Sequence, residues 1–525
     1  MRIRDFFKPG TLLFLALWFM LMIAGRSRFF QDPGTFWHTV VGQRIFASGF
    51  IDADPFTFTF AGTPWVPYQW LGECIMAVMH AIGGFDTFLL ATSTILAALF
   101  TWLGLRLMRC GLHPSIAVVL VALAIAASSG HFHARPLVVT IAGFAITLAF
   151  LTDCEAKRIS LGRLVWLIPI YFFWSNVHGG VLGGLATLAI AFLAWTIFWL
   201  LGAESPVTSW RSAGYLALIG LGCGLTTLMN PYGYRLPGTW IYIYQMELLP
   251  HLIQEHKRID LSERNAWMIL LFGGVYIFLL ASTWGQGSLR SRLGQFRVVW
   301  FLPLIWLGLS CLRVRHAPLF AVSALVCLAD FFPHTRLARH WLAKGSDLFE
   351  IPPAVPESRS LRDRFLPWFV PCLLVVSSLF LQAAAIRVPI IGHGWAQLDP
   401  SIWPVDLLDD LRAGQHTRPE GTRIFNEYAH GGFLIYYTPG YRVFVDDRCE
   451  VFGDAWLADF IYAAHQEPIR HLEEWQAKYG NFDYALINTQ EGSSGFLPYF
   501  ELSPEWKLVR QGVNAALFRR RQLNE

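Results

Sequence analysis

Residues 32–73 read DPGTFWHTVVGQRIFASGFIDADPFTFTFAGTPWVPYQWLGE and follow the first apolar run of the chain, residues 11–24, after a few positions. This polar, aromatic-rich segment therefore begins just past a predicted membrane face. It opens on Asp32, continues as an amphipathic helix and reaches a second Asp-Pro pair at Asp54. The order of these features indicates a functional loop held against a bilayer.

The composition agrees with a membrane location. The chain has 525 residues, 54% of them hydrophobic and 15% charged, whereas soluble domains carry about 25% charged residues. Several apolar runs approach the roughly 20 residues that cross a bilayer as a helix. We therefore predict a polytopic α-helical membrane protein. The net charge of +4 gives no reason to expect a nucleic-acid partner. The eight cysteines show no CxxC spacing that would indicate a zinc site.

Hydropathy predicts about eleven membrane spans, some of them short enough to be tilted or partly buried. The predicted spans are 11–25, 86–108, 114–129, 137–152, 163–175, 180–202, 212–229, 266–283, 297–311, 317–332 and 365–386. With the N-terminus in the cytoplasm, the inner connections carry most of the Lys and Arg, as the positive-inside rule requires. These inner residues include Arg2, Arg4, Lys8, Arg106, Arg109, Lys157, Arg158, Arg163, Arg211, Arg290, Arg292 and Arg297.

Two domains are expected. Residues 1–386 form the membrane domain, including an outer loop at 26–85, and residues 387–525 form a mixed α/β domain on the outer side. We interpret four segments of this tail as strands: RIFNEY, GGFLIYYT, YRVFVDD and FDYALINT. DAWLADFIYAAHQ and IRHLEEWQAKYG have helical periodicity.

The predicted topology places the polar clusters of several turns on one side of the membrane. The first loop supplies Asp32, His38, Asp52, Asp54, Gln69 and Glu73. The other turns supply His131, His133, Arg135, Asn176, His178, Asn230, Tyr232, Arg235, Gln254, Glu255, His256, Arg313, Arg315 and His316. Polar groups at membrane depth are costly and usually line a cavity that has a function. We therefore expect a single outer cavity at the lipid boundary.

Each of these residues also has a structural interpretation. Asp32 fits a helix cap, Asp54 a turn, and Asn176 and Asn230 helix ends. His131 and His133 suit either two metal ligands on a strand or surface positions. Arg313 and Arg315 could be snorkelling side chains, and the tryptophans could form an interfacial aromatic belt.

The residue types nevertheless suit one kind of chemistry. A membrane-edge carboxylate can act as a general base for an acceptor hydroxyl or hold a divalent cation such as Mg²⁺ or Mn²⁺. Arginines suit a phosphate or pyrophosphate head group through charge-assisted hydrogen bonds. Indole and carboxylate groups suit a sugar ring. Together they predict transfer of a sugar from a lipid-phosphate carrier.

The loop resembles that of the GT-C superfamily of polytopic glycosyltransferases. The resemblance lies in the order Asp32-Pro33, aromatic helix, Gly49, Asp54-Pro55 and the PWVPYQW segment. That superfamily uses polyprenyl-phosphate or polyprenyl-diphosphate donors and includes protein O-mannosyltransferases, aminoarabinose transferases of lipid A and oligosaccharyltransferases. Over nearly its whole length the chain is also similar to a group of bacterial membrane proteins with the same loop, NVHGG and NPYG turns and an outer C-terminal domain.

The resemblance implies a catalytic role for Asp32 and a location in the bacterial inner membrane. Two departures matter. Pro33 stands where mannosyltransferases have the second acid of an Asp-Glu pair, and the tail lacks the WWDYG-like signature of oligosaccharyltransferases, which argues against a peptide acceptor.

The resulting hypothesis is an inverting glycosyltransferase. It assigns catalysis or metal binding to Asp32, with Asp54 supporting the loop or sharing the metal. The predicted substrate contacts are His38, His133, Arg135, Asn176, His178, Asn230, Tyr232, Arg313 and Arg315. The partners are a polyprenyl-phosphate-linked donor, membrane lipid, and a glycan, lipid or protein acceptor. The alternatives are a flippase for a lipid-linked glycan, which needs polar residues in both halves of the membrane, and an inactive assembly protein with the same fold.

Overall fold

The computed structural model describes residues 6–249, 254–284, 297–352, 360–416, 421–490 and 495–521. Within these residues, eight helices are long and apolar enough to cross a membrane, and two shorter apolar helices accompany them. The chain is a multi-pass membrane protein, as its hydropathy predicts. Each of the eleven predicted segments coincides with helical structure, while the count of eleven crossings stays a prediction. Four of the basic residues assigned to the inner side lie outside the described residues: Arg2, Arg4, Arg290 and Arg292.

The helices of the membrane domain are α1 (Pro9–Arg28), α2 (Gly34–Ser48), α3 (Trp70–Arg109), α4 (Pro114–Ser128), α5 (Leu137–Glu155), α6 (Leu167–Val177), α7 (Val181–Leu200), α8 (Trp210–Leu225), α9 (Arg235–Gln245), α10 (Arg264–Ala281), α11 (Leu302–Leu312), α12 (Ala317–Phe331), α13 (Arg336–Ala343), α14 (Leu361–Phe365) and α15 (Phe369–Ala383). The tail adds α16 (Leu408–Gly414), α17 (Gly431–Tyr437), α18 (Cys449–His465), α19 (Pro468–Tyr479) and α20 (Leu497–Leu502). Its strands are β1 (Thr422–Asn426), β2 (Tyr441–Val443), β3 (Tyr484–Asn488), β4 (Trp506–Gln511) and β5 (Ala515–Arg520).

Helix α3 is longer than the predicted span 86–108, because it begins in the outer loop. It is interrupted at Gly83 and Gly84, and Gly84 has a φ of +63°, a conformation that favours glycine. Just beyond the break, the Asp86 carboxylate accepts backbone N–H bonds from Gly394, Trp395 and Ala396 at 2.7–2.8 Å. These bonds attach the segment that leads into the tail to the membrane domain.

The two ends of the helical bundle carry different polar groups. At the C-terminal ends of α3, α5 and α12, Arg106 pairs with Asp153, and Arg158 pairs with both Asp153 and Asp330. The other ends of α5 and α12 lead back to the turns around Arg135 and Arg315. Antiparallel packing of successive helices therefore brings the predicted polar turns to one end of the bundle.

The tail contains a five-stranded sheet of order β2-β1-β3-β5-β4. Strand β1 is parallel to β2 and β3, whereas β5 is antiparallel to β3 and β4. The strands predicted in RIFNEY, YRVFVDD and FDYALINT are confirmed, and so are the two predicted helices. The strand predicted in GGFLIYYT is wrong, because this segment forms α17. Residues 431–435 are all buried, and a short, continuous apolar run has no periodicity that separates a strand from a helix.

The first outer loop packs into the core of the tail domain. The backbone N–H of Phe58 donates to Val443 O at 3.1 Å, and that of Val443 donates to Phe56 O at 3.2 Å. Loop residues 56–59 thus cover the β2 edge of the sheet, which would otherwise be open to pairing. The aromatic side chains of α2, Phe36 and Trp37, lie in the same apolar cluster as Phe433. The predicted domain boundary near residue 386 stays a prediction.

Candidate functional site

Asp32 is held at the start of the outer loop by its two carboxylate oxygens. Oδ1 accepts the backbone N–H of Gly34 at 2.7 Å, at the beginning of α2, and Oδ2 forms an ion pair with Arg135. A Cβ atom at position 34 would lie 2.7 Å from Asp32 Oδ1 and 3.4 Å from the Arg135 Cζ atom. A larger residue at position 34 would force the Asp32 carboxylate to shift. Pro33 is the N-cap residue of α2, so Asp32 does not cap the helix itself. One Asp32 oxygen accepts the N–H of the first helical residue, while the other faces a cation.

Two further side chains converge on Asp32. Ligand atoms of Asp32, His133 and Glu255 all lie within 4.8 Å of one another, and His133 Nε2 is 3.5 Å from Glu255 Oε1. The three side chains retain 12%, 14% and 19% of their exposure, so the group is open to a ligand. Two carboxylates and an imidazole form a donor set that suits a divalent metal ion. Among the described residues, this is the one such group of three or more.

Two arginines flank this group. Arg315 Nη1 donates to His256 Nε2. Burial and the neighbouring Arg315 charge lower the pKa of His256 to about 2, which leaves the imidazole neutral and able to accept. Although burial lowers the pKa of Arg135, the charges of Asp32 and Glu255 raise it above its usual value. We call Asp32, His133, Arg135, Glu255, His256 and Arg315 the outer cluster.

The charge state of Glu255 follows from its neighbours. Burial alone would raise the pKa of this carboxyl, but Arg135, His133, His131 and Arg315 lower it to about 2. Glu255 is therefore ionised at any physiological pH. It was visible in the sequence as part of an outer polar segment but was not among the predicted site residues, because its distance from Asp32 is set by tertiary packing.

The tail domain contributes Asp447, which sequence reasoning missed. Burial, followed by the charges of Asp32 and Asp446, raises the pKa of Asp447 to about 8. The Trp37 indole lies beside this carboxyl, but in the described part of the chain the buried Oδ1 atom has no partner with good hydrogen-bond geometry. The sequence signal was the acidic pair that follows β2, in VFVDDR.

Asp54 has a different environment from Asp32. Its carboxylate is fully buried and accepts bonds from Arg448 Nη2 at 2.6 Å and Thr57 Oγ1 at 2.5 Å. The backbone N–H groups of Phe56 and Thr57 complete its shell. The structure does not bring Asp54 into the group of Asp32, His133 and Glu255. Of the two roles expected for Asp54, loop support fits these contacts.

His38 and His178 are neutral histidines with internal partners. His38 is fully buried, with Nδ1 2.8 Å from Glu73 Oε1, and burial lowers its pKa well below the usual value. His178 Nδ1 accepts the Gly180 N–H and lies 2.9 Å from Thr140 Oγ1. Burial and the charges of Arg315 and Arg135 lower the His178 pKa to about 3. The Arg135 charge also lowers the pKa of His38, so both histidines lie near this arginine. His38 in addition links α2 to α3 through Glu73.

Asn176 and Asn230 make the bonds of structural turns. Asn176 accepts Trp70 Nε1–H at 3.0 Å and donates to Phe172 O at 2.8 Å. Asn230 donates to Thr227 O at 2.8 Å and Gly233 O at 3.0 Å.

Two other predicted contacts face aromatic neighbours. The Tyr232 ring packs against Phe50 with centroids 5.8 Å apart. Arg313 places its guanidinium 5.7 Å from the centre of the Tyr244 ring. Asn176, Asn230, Tyr232 and Arg313 thus contact side chains other than Asp32, His133, Arg135 and Arg315, which the structure brings together. The Arg313 charge nevertheless acts on His256 and Arg315.

No family model matches the chain, and no curated protein matches its sequence. Solved structures do match. The apo crystal structure of ArnT from Cupriavidus metallidurans aligns with a TM-score of 0.51 at 14% identity, covering 97% of both chains. The same protein bound to undecaprenyl phosphate gives 0.48 at 14% identity, also covering 97% of both. An oligosaccharyltransferase from Archaeoglobus fulgidus in the apo form gives 0.46 at 12% identity, covering 91% of this chain and 69% of the other. The ArnT apo structure establishes the likeness of fold. The chain has the GT-C membrane fold, as its first loop predicts.

Proposed function

We propose that the protein is a membrane glycosyltransferase that moves a sugar from a polyprenyl-phosphate-linked donor to an acceptor on the outer side of the membrane. The observation that carries the proposal is the outer cluster, where Asp32, His133 and Glu255 lie beside Arg135 and Arg315 at one end of the helical bundle. The carrier class is taken from ArnT, which shares the fold and has been solved with undecaprenyl phosphate.

In this proposal the two arginines bind the carrier phosphate. Arg315 donates to the neutral imidazole of His256 and forms no ion pair among the described residues, although the Glu255 charge acts on it. Its guanidinium can therefore bind a further anion. Arg135 forms an ion pair with Asp32 and orients its carboxylate, so it would bind the phosphate and Asp32 together. Guanidinium groups match phosphate through two parallel hydrogen bonds, so the pair suits a lipid phosphate that enters from the bilayer.

Asp32, His133 and Glu255 are the residues that would hold a divalent cation. Two carboxylates with one imidazole fit Mg²⁺ or Mn²⁺, with oxygen as the main ligand type. A bound cation would offset the charge that builds on the phosphate as the sugar leaves. Asp54 and His38 support the loop that carries Asp32. The acceptor is a glycan, lipid or protein, and the proposed location is a bacterial inner membrane with the N-terminus in the cytoplasm.

The test uses the full chain purified in nanodiscs. We expect native mass spectrometry to detect added undecaprenyl phosphate on the protein. Transfer from undecaprenyl-phosphate-linked sugars to membranes of a strain that lacks the gene should fall at least 100-fold in Asp32→Asn. The matched control is Asp52→Asn, an exposed acid in the same loop, which should transfer normally.

The outcomes separate the three hypotheses. Carrier binding with full activity in Asp32→Asn would overturn the assigned role of Asp32. Carrier movement across vesicles without transfer would favour a flippase. Absence of carrier binding would favour an assembly protein.

A further inference from the structure

Helix α17 lies between the first outer loop and the acidic segment that follows β2. A Cβ atom at Gly432 would lie 2.4 Å from the Pro33 carbonyl oxygen, so the helix backbone contacts the residue after Asp32. A Cβ atom at Gly431 would lie 2.3 Å from Val445 O and 2.6 Å from Asp446 Cα. Two adjacent glycines therefore bring segment 445–447 of the tail domain next to the Asp32-Pro33 turn.

This packing places a second acid beside Asp32. The charges of Asp32, Asp446 and Arg135 act on the Asp447 carboxyl and change its pKa. Asp446 is bound to Arg448, and Asp32 is bound to Arg135. The Asp447 residue is half-buried, and the Trp37 indole lies beside its carboxyl. Within the described ranges, neither Asp447 Oδ1 nor Trp37 Nε1 has a partner with good hydrogen-bond geometry. A buried carboxylate oxygen without a partner is uncommon in proteins and calls for a ligand or water.

The hydrogen-bonding capacity of Asp447 favours one kind of ligand group. The arginines assigned to the carrier phosphate belong to the membrane domain, whereas the Asp447 carboxyl belongs to the tail domain. A deprotonated phosphate oxygen accepts hydrogen bonds and offers none to an accepting carboxyl oxygen. A hydroxyl or amine, by contrast, donates a hydrogen bond that a carboxyl oxygen accepts.

We propose that the carboxyl group of Asp447 binds the nucleophilic hydroxyl or amine of the acceptor, so that the tail domain supplies the acceptor side of the site. This inference rests on the proposed glycosyltransferase function. The donor then approaches from the lipid side, through Arg135 and Arg315. The acceptor approaches from the aqueous side, against Asp447.

The test separates transfer from donor hydrolysis. The probes are a radiolabelled undecaprenyl-phosphate-linked sugar that the wild type uses and membranes of a strain that lacks the gene as the acceptor source. In Asp447→Ala, the amount of membranes needed for half-maximal transfer should rise at least tenfold. Release of free sugar to water and binding of undecaprenyl phosphate should stay within twofold of the wild type. Asp447→Asn keeps the shape and one accepting oxygen, and should give a smaller rise. Asp459→Asn, an exposed acid of α18, should have no effect.

A second variant tests the position of Asp447 without changing it. Gly432→Ala forces α17 away from Pro33 and should raise the acceptor requirement in the same way as Asp447→Ala. Gly238→Ala in α9 has open space for the added methyl and serves as the control.

Two results would overturn the inference. One is equal loss of donor hydrolysis, carrier binding and transfer in the Asp447 variants, which would assign the residue to the donor side. The other is an unchanged acceptor requirement in Asp447→Ala. Failure of the proposed function differs from both, because the wild type itself would then show no transfer.

Discussion

Arg448 of the tail domain and Asp54 of the first outer loop form an ion pair of 2.6 Å in which both side chains are 0% exposed. Arg448 also pairs with Asp446 and lies 4.5 Å from the centre of the Trp65 ring. A cation from one domain is thus enclosed by an acid and an indole from the loop. The contact explains how a loop at the membrane edge and a distant tail become one packed unit.

Replacing Asp54 should lower the stability of the protein. Breaking a buried ion pair costs about 3–5 kcal/mol because the remaining charge stays buried; Asp446 still neutralises Arg448, so we expect the lower end, about 3 kcal/mol. Chemical denaturation of Asp54→Ala in detergent measures the loss. Asp52→Ala, with an exposed side chain in the same loop, is the control, and equal stability of the two variants would contradict the prediction.

Glu255 should be required for metal binding. We expect the wild type to bind Mn²⁺, and Glu255→Gln to weaken that binding at least tenfold, because an amide is a poorer ligand for a hard cation than a carboxylate. Electron paramagnetic resonance titration with Mn²⁺ measures the affinity. Glu263→Gln, an exposed acid nearby in the chain, should bind like the wild type. Unaltered Mn²⁺ binding in Glu255→Gln would rule out the proposed ligand set.

Arg313 and Arg315 provide a matched pair two residues apart. Arg315 belongs to the outer cluster and donates to His256, whereas Arg313 faces the Tyr244 ring. A hydrogen bond to a charged group contributes about 1.5–3 kcal/mol, so Arg315→Gln should weaken undecaprenyl phosphate binding by about 10- to 100-fold. Arg313→Gln should change it by less than about threefold. Native mass spectrometry with a lipid titration compares them, and equal effects would argue against a specific phosphate contact.

His430 should make the tail domain sensitive to acid. Burial lowers the pKa of this fully buried histidine to about 4, while the unfolded chain has a value of about 6.5. Above pH 6.5 both states are neutral, so the folded state is not penalised. As the pH falls from 6.5 towards 4, the unfolded state alone takes up the proton, and stability falls by up to about 1.4 kcal/mol per pH unit.

Denaturation midpoints of the full chain between pH 4 and 7 provide the measurement. His430→Gln should reduce the pH dependence, whereas His465→Gln, with an exposed ring in the same domain, should keep the slope of the wild type. Identical slopes in all three proteins would show that His430 is not the titrating group.

The membrane fold was predictable from the sequence because long apolar runs can satisfy their backbone groups in lipid in few ways. The loop order from Asp32 to Asp54 also identified the fold. In the tail, alternating runs such as YRVFVDD gave correct strands, whereas GGFLIYYT did not. Its two glycines are explained by close contacts with Asp446 and Pro33, and Pro33 lies far from them in sequence.

The sequence by itself determined which turns share one end of the bundle, since alternating spans carry successive turns to opposite faces. It also determined that Asp32, His133, Arg135 and Arg315 belong to that end. Tertiary structure alone decided which of these polar residues meet. It brought Glu255 and Asp447 to Asp32, and it enclosed Asp54 with Arg448 and His38 with Glu73. The physical reason is that hydropathy fixes position along the membrane normal, whereas side-chain packing between distant segments fixes position within its plane.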